Sequence, residues 1–204
     1  MEEEGWVLTN CDSSLVIDWL CNQAKDRNVA VACVYFNFAA QKEQSPTSAL
    51  GAVLKHIVSG LKEIPEEIAQ AYEDHKQSID GLGLELADVV EMLQVAASWR
   101  PTFICIDAID ECVPRDRVKV LDSLSKILQR SPGTRMFVTG RPHIESEVEK
   151  RLAGRVAALH IVPRRHDIIC YLNHRLDEDA ELDEMDYSLK ADILKKIPED
   201  ISEM

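Results

Sequence analysis

The sequence predicts an α/β protein with a parallel sheet flanked by helices, on the strength of three observations. Apolar segments rich in β-forming residues alternate four times with amphipathic segments at helical spacing. The strand-like segments are apolar almost throughout, which is typical of strands covered on both faces. The intervening chain is long enough for right-handed crossovers, and 204 residues with 46% hydrophobic composition suffice for one domain, or for one domain and part of a second.

The first half of the chain contains one predicted strand, the apolar run at residues 29–36. Ahead of it, residues 6–9 form a very short apolar run, and residues 10–14 are capping and turn residues. A flexible break is predicted at residues 81–83, where two glycines flank a leucine. Apolar residues at helical spacing predict helices at residues 15–25, 45–61, 65–77 and 84–97.

The second half of the chain contains three further predicted strands and no internal repeat. The strands are expected at residues 102–106, 135–139 and 156–162. Helices are expected at residues 117–128, 144–152, 167–176 and 189–197. Residues 177–186 are acidic and predict a solvated connector between the last two helices.

Composition excludes several classes of function. The net charge of −13 and the pI near 4.9 disfavour binding to nucleic acid or to an anionic membrane, because both need a basic surface. The six cysteines include no Cys-x-x-Cys pair, so neither a zinc site nor a disulfide framework is expected. The acidic amino-terminal residues contain no apolar stretch of signal-peptide length. We therefore expect a cytoplasmic protein with protein partners, and neither nucleic acid nor membrane as a partner.

An acidic cluster follows the predicted strand at residues 102–106. Asp107 comes directly after the apolar run, and Asp110 and Glu111 follow within four positions. This is the pattern of a Walker B segment, in which one acid binds Mg²⁺ and others polarise the attacking water. Asp107 is therefore the candidate metal ligand, and Asp110 and Glu111 are the candidate catalytic acids. The alternative is an acidic loop that only caps the next helix, through Asp110 or Asp116.

A second candidate group lies at the end of the next predicted strand, where Thr139 is followed by Gly140, Arg141 and Pro142. Ligands of open parallel sheets bind at the carboxyl ends of the strands, so Thr139 and Arg141 are expected near Asp107. The planar donor fork of Arg141 suits a terminal phosphate. The alternative is a surface arginine in a turn.

These two segments resemble the NACHT domains of the signal-transduction ATPases with numerous domains (STAND), and most closely the nephrocystin-type modules of large fungal proteins. The resemblance implies a P-loop NTPase-like sheet that uses ATP or GTP, with Mg²⁺, as a switch for oligomerisation. It assigns Mg²⁺ to Asp107 and the catalytic acids to Asp110 and Glu111. It places Thr139 and Arg141 near the terminal phosphate of the nucleotide.

The glycine-rich Walker A loop that precedes the first helix in this family is absent. The sequence contains no Gly-Lys pair. Without the glycines and the lysine, the N–H groups and the charge that hold the phosphates are missing. Ser13 or Ser14 would offer a hydroxyl to a nucleotide, but capping a helix that begins near Leu15 is the stronger interpretation of both serines.

The resemblance also divides the chain and leaves a gap in the sheet. Residues 1–14 replace the P-loop, residues 15–165 form a truncated NACHT core, and residues 166–204 lead to a winged-helix region that is expected to be absent. The resemblance implies that the family's P-loop strand lies between the strand of the acidic cluster and the strand that ends at Thr139. In this chain we expect that strand to be missing or degenerate, so that the sheet must close differently or remain unstable unless another segment fills the slot. Residues 6–9 would partly fill that slot, although they are few for a strand.

Three functions remain open from the sequence. The first is a truncated NACHT-type nucleotide-binding signalling module whose ATP or GTP binding is weak or lost. The second is a non-catalytic interaction module that joins or regulates larger NACHT assemblies, with its own copies or other NACHT proteins as partners. The third is an active P-loop ATPase.

Overall fold

Three parallel strands form one sheet in the computed structural model of the chain, which describes residues 6–25, 27–61, 63–76, 84–152, 156–161, 164–178 and 187–202. The strands are β1 (Ala30–Tyr35), β2 (Thr102–Asp107) and β3 (Thr134–Val138). β2 lies between the other two and pairs with both in parallel. In this register Tyr35 lies beside Asp107, the last residue of β2.

Helices connect and cover the strands. They are α1 (Trp6–Ala24), α2 (Pro46–Ser59), α3 (Glu66–Lys76), α4 (Leu86–Ser98), α5 (Pro114–Arg130), α6 (Glu145–Leu152), α7 (Arg165–Glu178) and α8 (Tyr187–Ser202). The start of α2 shows how the sequence sets a boundary: Ser45 Oγ accepts the N–H of Ser48 at 3.1 Å, and Pro46 takes the first helical position. None of the described helices combines the length and the apolar character that crossing a membrane requires.

The sheet is covered on both faces. On one face, α2, α4 and α5 form the main core with Ala32 of β1 and Ile104 of β2, both fully buried. On the other face, α1 packs Ile17 and Leu20 against Cys105. Because side chains of a strand alternate between faces, burial of both faces requires strands that are apolar almost throughout.

The start of α1 differs from the sequence expectation. The helix begins at Trp6 rather than near residue 15, so residues 6–9 lie in its first turns and do not form a strand. Ser13 and Ser14 lie within the helix, and the expectation that one of them caps its start is wrong. Each serine in a helix interior costs only a fraction of a kcal/mol of helix stability. Packing of α1 on the sheet outweighs that cost, so the helix continues through both serines.

The sheet contains no slot between β2 and β3. The two strands pair directly from Thr102, which lies beside Thr134, to Ile106, which lies beside Val138. The pairing continues past β3, where the N–H of Thr139 donates to the C=O of Ile106 at 2.9 Å. The sheet therefore closes directly between these two strands, and residues 6–9 do not fill a slot there.

The fourth predicted strand is not found in residues 156–161. These residues have no regular secondary structure, and Leu159 and Ile161 are 84% and 54% exposed. An apolar segment forms a strand only when a neighbouring strand pairs with its backbone. The sequence of the segment does not show whether such a neighbour is present. Residues 81–83 and most of the acidic connector at 177–186 lie outside the described residues, except that α7 extends to Glu178.

Contacts divide the chain into two units, Met1–Ala158 and Leu159–Met204. The first unit contains the sheet and the helices up to α6. In the second unit α7 and α8 pack against each other. The domain boundaries at residues 14 and 165 stay predictions.

Candidate functional site

The carboxyl end of β2 joins the carboxyl end of β3 through one pair of side chains. Asp107 is 4% exposed, and its Oδ1 accepts a hydrogen bond from Thr139 Oγ1 at 2.5 Å. The same hydroxyl oxygen accepts the N–H of Ala108 at 3.0 Å. Thr139 therefore uses its donor on the carboxylate and accepts from the backbone, which fixes the direction of Asp107.

The backbone turns sharply after Asp107. Ala108 has φ 52° and ψ 47°, the left-handed conformation that costs a residue with a Cβ about 1–2 kcal/mol. The N–H of Ile109 then donates to the C=O of Thr139 at 3.0 Å. A short 3-10 turn, Ile109–Glu111, follows and directs the next two acids to different neighbours.

Asp110 is directed toward β3. Its Oδ2 lies 3.5 Å from Arg141 Nε, and its Oδ1 accepts the N–H of Arg141 at 3.3 Å. The Asp110 side chain is 6% exposed and that of Arg141 36%, so the guanidinium extends from a buried anchor to the surface. Gly140 permits this approach, because a Cβ there would lie 2.7 Å from Ile144 Cδ1 and 3.3 Å from Asp110 Oδ1.

Glu111 is directed toward β1. Its Oε2 accepts the N–H of Phe38 at 2.7 Å, and its C=O accepts from Gln41 Nε2 at 2.5 Å. Burial raises the pKa of Glu111 above its usual range and is opposed by the Phe38 N–H. The charges of Asp110 and Asp107 raise it further, while Arg141 lowers it. The three predicted acids thus have different neighbours: Asp107 and Asp110 contact residues that follow β3, and Glu111 contacts the loop after β1.

The loop after β1 is held by amide side chains that the sequence analysis missed. Gln44 Oε1 accepts the N–H of Asn37 at 2.9 Å, and Gln44 Nε2 donates to the C=O of Tyr35 at 2.7 Å. Asn37 Oδ1 accepts the N–H of Ala39, which starts a 3-10 turn. An asparagine directly after an apolar strand is a signal for such a turn, but no sequence signal pairs it with Gln44.

A buried arginine on the following helix bonds to the acidic turn and was also not predicted. Arg117, on α5, is 8% exposed and donates to the C=O groups of Asp110 and Cys112, both at 3.2 Å. Its Nε and Nη2 lie 3.0 Å from Glu147 Oε2 on α6. An arginine on an amphipathic helix ordinarily indicates a solvated face, so the sequence gives no sign of this role.

Tyr35 completes the row of residues beside Asp107. Burial raises the pKa of Tyr35 to about 12, and the neighbouring Cys33 and Asp107 raise it as well. Tyr35 is 46% exposed, and its phenol is neutral at physiological pH. It adds an uncharged polar group at the same edge of the sheet.

The acids fit Mg²⁺ only in a limited way. The described residues contain no group of three or more His, Cys, Asp or Glu side chains that could hold a metal ion. Mg²⁺ is commonly bound by one or two carboxylates, with waters and substrate phosphates completing its octahedron. Asp107 can supply one such carboxylate ligand. The site therefore suits a Mg²⁺ ion that is also coordinated by the phosphates of a bound nucleotide, and it does not suit an ion coordinated by protein side chains alone.

Comparison with solved structures identifies the fold class of the chain. A solved structure of the Aeropyrum pernix ORC1 protein in complex with DNA matches with a TM-score of 0.51 and 20% identity. The match covers 81% of this chain and 40% of that chain, so the chain spans less than half of that protein's length. At this identity the likeness shows the fold alone, and it confirms an α/β, P-loop NTPase-like parallel sheet flanked by helices.

The family follows from the amino-acid sequence. The family model described as Nephrocystin 3, N-terminal, matches residues 11–141. That range is more than half of the chain, and the chain therefore belongs to the nephrocystin 3 N-terminal family. The matched range includes the acidic turn, Thr139 and Arg141. No curated protein matches the chain.

Proposed function

We propose that the chain is a NACHT-type nucleotide-binding signalling module with an incomplete phosphate site. The observation that carries the proposal is the partly buried hydrogen bond between Asp107 and Thr139, with Arg141 held beside it by Asp110. These groups lie where parallel sheets bind ligands, and together they offer a carboxylate for Mg²⁺ and a partly exposed guanidinium for a phosphate. Membership of the nephrocystin 3 N-terminal family supports the same assignment.

The incomplete part is the amino-terminal side of the site. Phosphates in a P-loop are held by backbone N–H groups that no other acceptor uses. Ser13 and Ser14 lie well inside α1, where backbone N–H groups bond to carbonyls one turn earlier. No Gly-Lys pair exists elsewhere in the chain to supply the loop or its cation. We therefore expect ATP or GTP to bind weakly, through Mg²⁺ at Asp107 and through Arg141.

Hydrolysis is disfavoured by the position of Glu111. A general base must reach the attacking water, but the Glu111 carboxylate accepts the N–H of Phe38 in the loop after β1. Mg²⁺, when bound with a nucleotide, would neutralise charge that develops on the phosphates. Glu111 would have to leave Phe38 before it could act, so binding without turnover is the stronger proposal and an active ATPase ranks last.

Titration with a fluorescent ATP analogue in Mg²⁺ tests the binding. We expect a dissociation constant on the order of 0.1 to 1 mM for the unchanged chain, since the phosphate loop is missing. Asp107→Asn should weaken binding by about tenfold or more through loss of the carboxylate ligand. Asp18→Asn is the matched control, because Asp18 is an exposed acid on α1. Equal affinity in both variants would contradict the assignment of Mg²⁺ to Asp107.

The non-catalytic interaction module is the second proposal, and exposed aromatic side chains favour it. Phe38 is 71% exposed and Tyr35 is 46% exposed, and both lie at the carboxyl edge of the sheet. Exposed aromatic residues are enriched where proteins bind each other. Absence of nucleotide binding at millimolar concentration, with the chain folded, would support this proposal over the first.

A further inference from the structure

The exposed face of α7 carries two side chains of the kinds that bind transition metals. His166 and Cys170 are four positions apart in this helix, so they lie on the same face, about one turn from each other. Both residues are exposed, whereas Ile168 between them is buried. Imidazole nitrogen and thiolate sulfur are ligands that Zn²⁺ and similar divalent ions prefer. The helix therefore presents two ligands of one class of metal to solvent.

The two candidate ligand atoms lie at the separation that a tetrahedral zinc ion imposes. Cys170 Sγ is 3.5 Å from His166 Nε2. Zn²⁺ bonds to sulfur at about 2.3 Å and to nitrogen at about 2.0–2.1 Å, and a tetrahedral angle between these bonds places the two atoms about 3.5 Å apart. Because the atoms already have this separation on a formed helix, the pair loses little conformational freedom when it binds an ion.

Water has to supply the remaining ligands of an ion held by this pair. The described residues contain no group of three or more His, Cys, Asp or Glu side chains that could hold a metal ion, so this face of α7 provides two protein ligands. The neighbouring Asp167 is used at the start of the helix, where its Oδ2 accepts the N–H of Arg164 at 3.2 Å. Structural zinc sites have four protein ligands, whereas a site with fewer leaves positions open to exchangeable groups.

We propose that His166 and Cys170 form a binding site for Zn²⁺, with Nε2 and Sγ as its two protein ligands. The thiol releases its proton to solvent when the ion binds, and the thiolate then donates an electron pair to the metal, while His166 ligates as the neutral imidazole. No oxidation or reduction takes place. The bound ion links two successive turns of α7 and therefore stabilises the helix against local unfolding.

The chemistry of this site differs from that of the acidic turn. Asp107 offers carboxylate oxygen, which suits Mg²⁺, whereas His166 and Cys170 offer nitrogen and sulfur, which suit Zn²⁺. The sequence signal of the pair is the spacing His-x-x-x-Cys within a helix. The expectation of no zinc site rested on the absence of Cys-x-x-Cys spacing, and that spacing does not include pairs of this kind.

Titration of the full, reduced chain with Co²⁺ tests the proposal, because a cobalt–thiolate bond absorbs in the near ultraviolet. We expect this absorption to saturate with a dissociation constant on the order of 10 to 100 µM, weaker than a structural zinc site since only two protein ligands take part. Zn²⁺ should remove the absorption by displacing Co²⁺, as the Irving–Williams order requires. Mg²⁺ at the same concentration should leave it unchanged.

Four variants assign the absorption to the pair. Cys170→Ser should abolish it, and His166→Ala should raise the dissociation constant by at least about tenfold. Cys21→Ser, at another exposed cysteine, and His143→Ala, at an exposed histidine, are the matched controls and should change neither.

Cys170→His separates metal binding from the mere presence of a thiol. This variant keeps two ligands at the same helical spacing, so Co²⁺ should bind within about fivefold of the original affinity while the thiolate absorption is lost. Isothermal titration calorimetry measures that affinity. Hydrogen exchange gives a second readout, because Zn²⁺ should slow the exchange of α7 amides in the unchanged chain and not in Cys170→Ser.

Three results would overturn the proposal. They are thiolate absorption that survives in Cys170→Ser, no saturable Co²⁺ binding below about 1 mM in the unchanged chain, and loss of binding in Cys170→His. Asp107→Asn should leave the Co²⁺ titration unchanged, so the outcome is independent of the proposed nucleotide site.

Discussion

The two outer strands of the sheet differ in how their surroundings are completed. At β1, side chains close the backbone edge, and Glu111 ties the following loop to the acidic turn. At β3, the edge is open in the described residues, and the neighbouring polar groups, Thr139 and Arg141, lie beside the remaining two acids. Side-chain hydrogen bonds therefore close the β1 side in the described residues, while the β3 side holds the groups that we propose contact a nucleotide.

The largest expected effect concerns Arg117, which supports the turn that separates the two sides. Arg117→Met leaves the C=O groups of Asp110 and Cys112 without this donor, and it removes the nearer of the two cations beside Glu147, the other being Arg151 at 3.7 Å. We expect the free energy of unfolding to fall by about 2 to 3 kcal/mol, since the arginine is buried and Glu147 is partly solvated. Urea denaturation at neutral pH measures this change.

Arg115→Met is the matched control for that prediction, because Arg115 is exposed on the same helix. It should change the free energy of unfolding by less than about 0.5 kcal/mol. Equal losses in the two variants would mean that Arg117 gives no specific support to the turn. In that case the two sides of the sheet would be stabilised independently of each other.

The next prediction concerns the closed edge alone. His56→Ala removes the acceptor of the Cys33 N–H, a bond of 3.3 Å at a partly solvated position. We expect a loss of about 1 kcal/mol and about fivefold faster exchange of the Cys33 amide, with the amides of β3 unchanged. Hydrogen exchange followed by mass spectrometry measures both strands together. His143→Ala, at an exposed position after β3, is the control.

Much of the fold was predictable because strands covered on both faces have an almost continuous apolar pattern. The three observed strands lie within a residue or two of their predicted bounds. Asp107 and Thr139 were expected near each other, because parallel strands end at a common edge. The fourth strand, which is not found in residues 156–161, and the start of α1 were predicted wrongly, since both depend on the surface that the segment packs against and not only on its own pattern.

The partners of the acids could not be predicted, because they lie far apart in the chain. Phe38 and Glu111 are separated by 73 positions, and the bond uses a backbone N–H that has no residue-specific signature. Arg117 reaches the acidic turn from α5, where its sequence context indicates solvent. Sequence patterns therefore located the acids, while the direction of each acid depended on tertiary contacts.

The smallest expected effect is the pH dependence that Glu111 adds on the β1 side. Because its pKa is raised in the folded chain, its protonated form is favoured by folding, and this contribution to stability is present below the usual glutamate pKa. The contribution is lost as the pH rises through the raised pKa of Glu111 in the folded chain.

Glu111→Gln tests this dependence, because it keeps the shape of the side chain and the acceptor for the Phe38 N–H but does not titrate. The stability of the unchanged chain relative to Glu111→Gln should therefore be greater near pH 4.5 than at pH 7. Urea midpoints at the two pH values measure the difference, and a difference of the opposite sign would show that the Phe38 N–H outweighs burial.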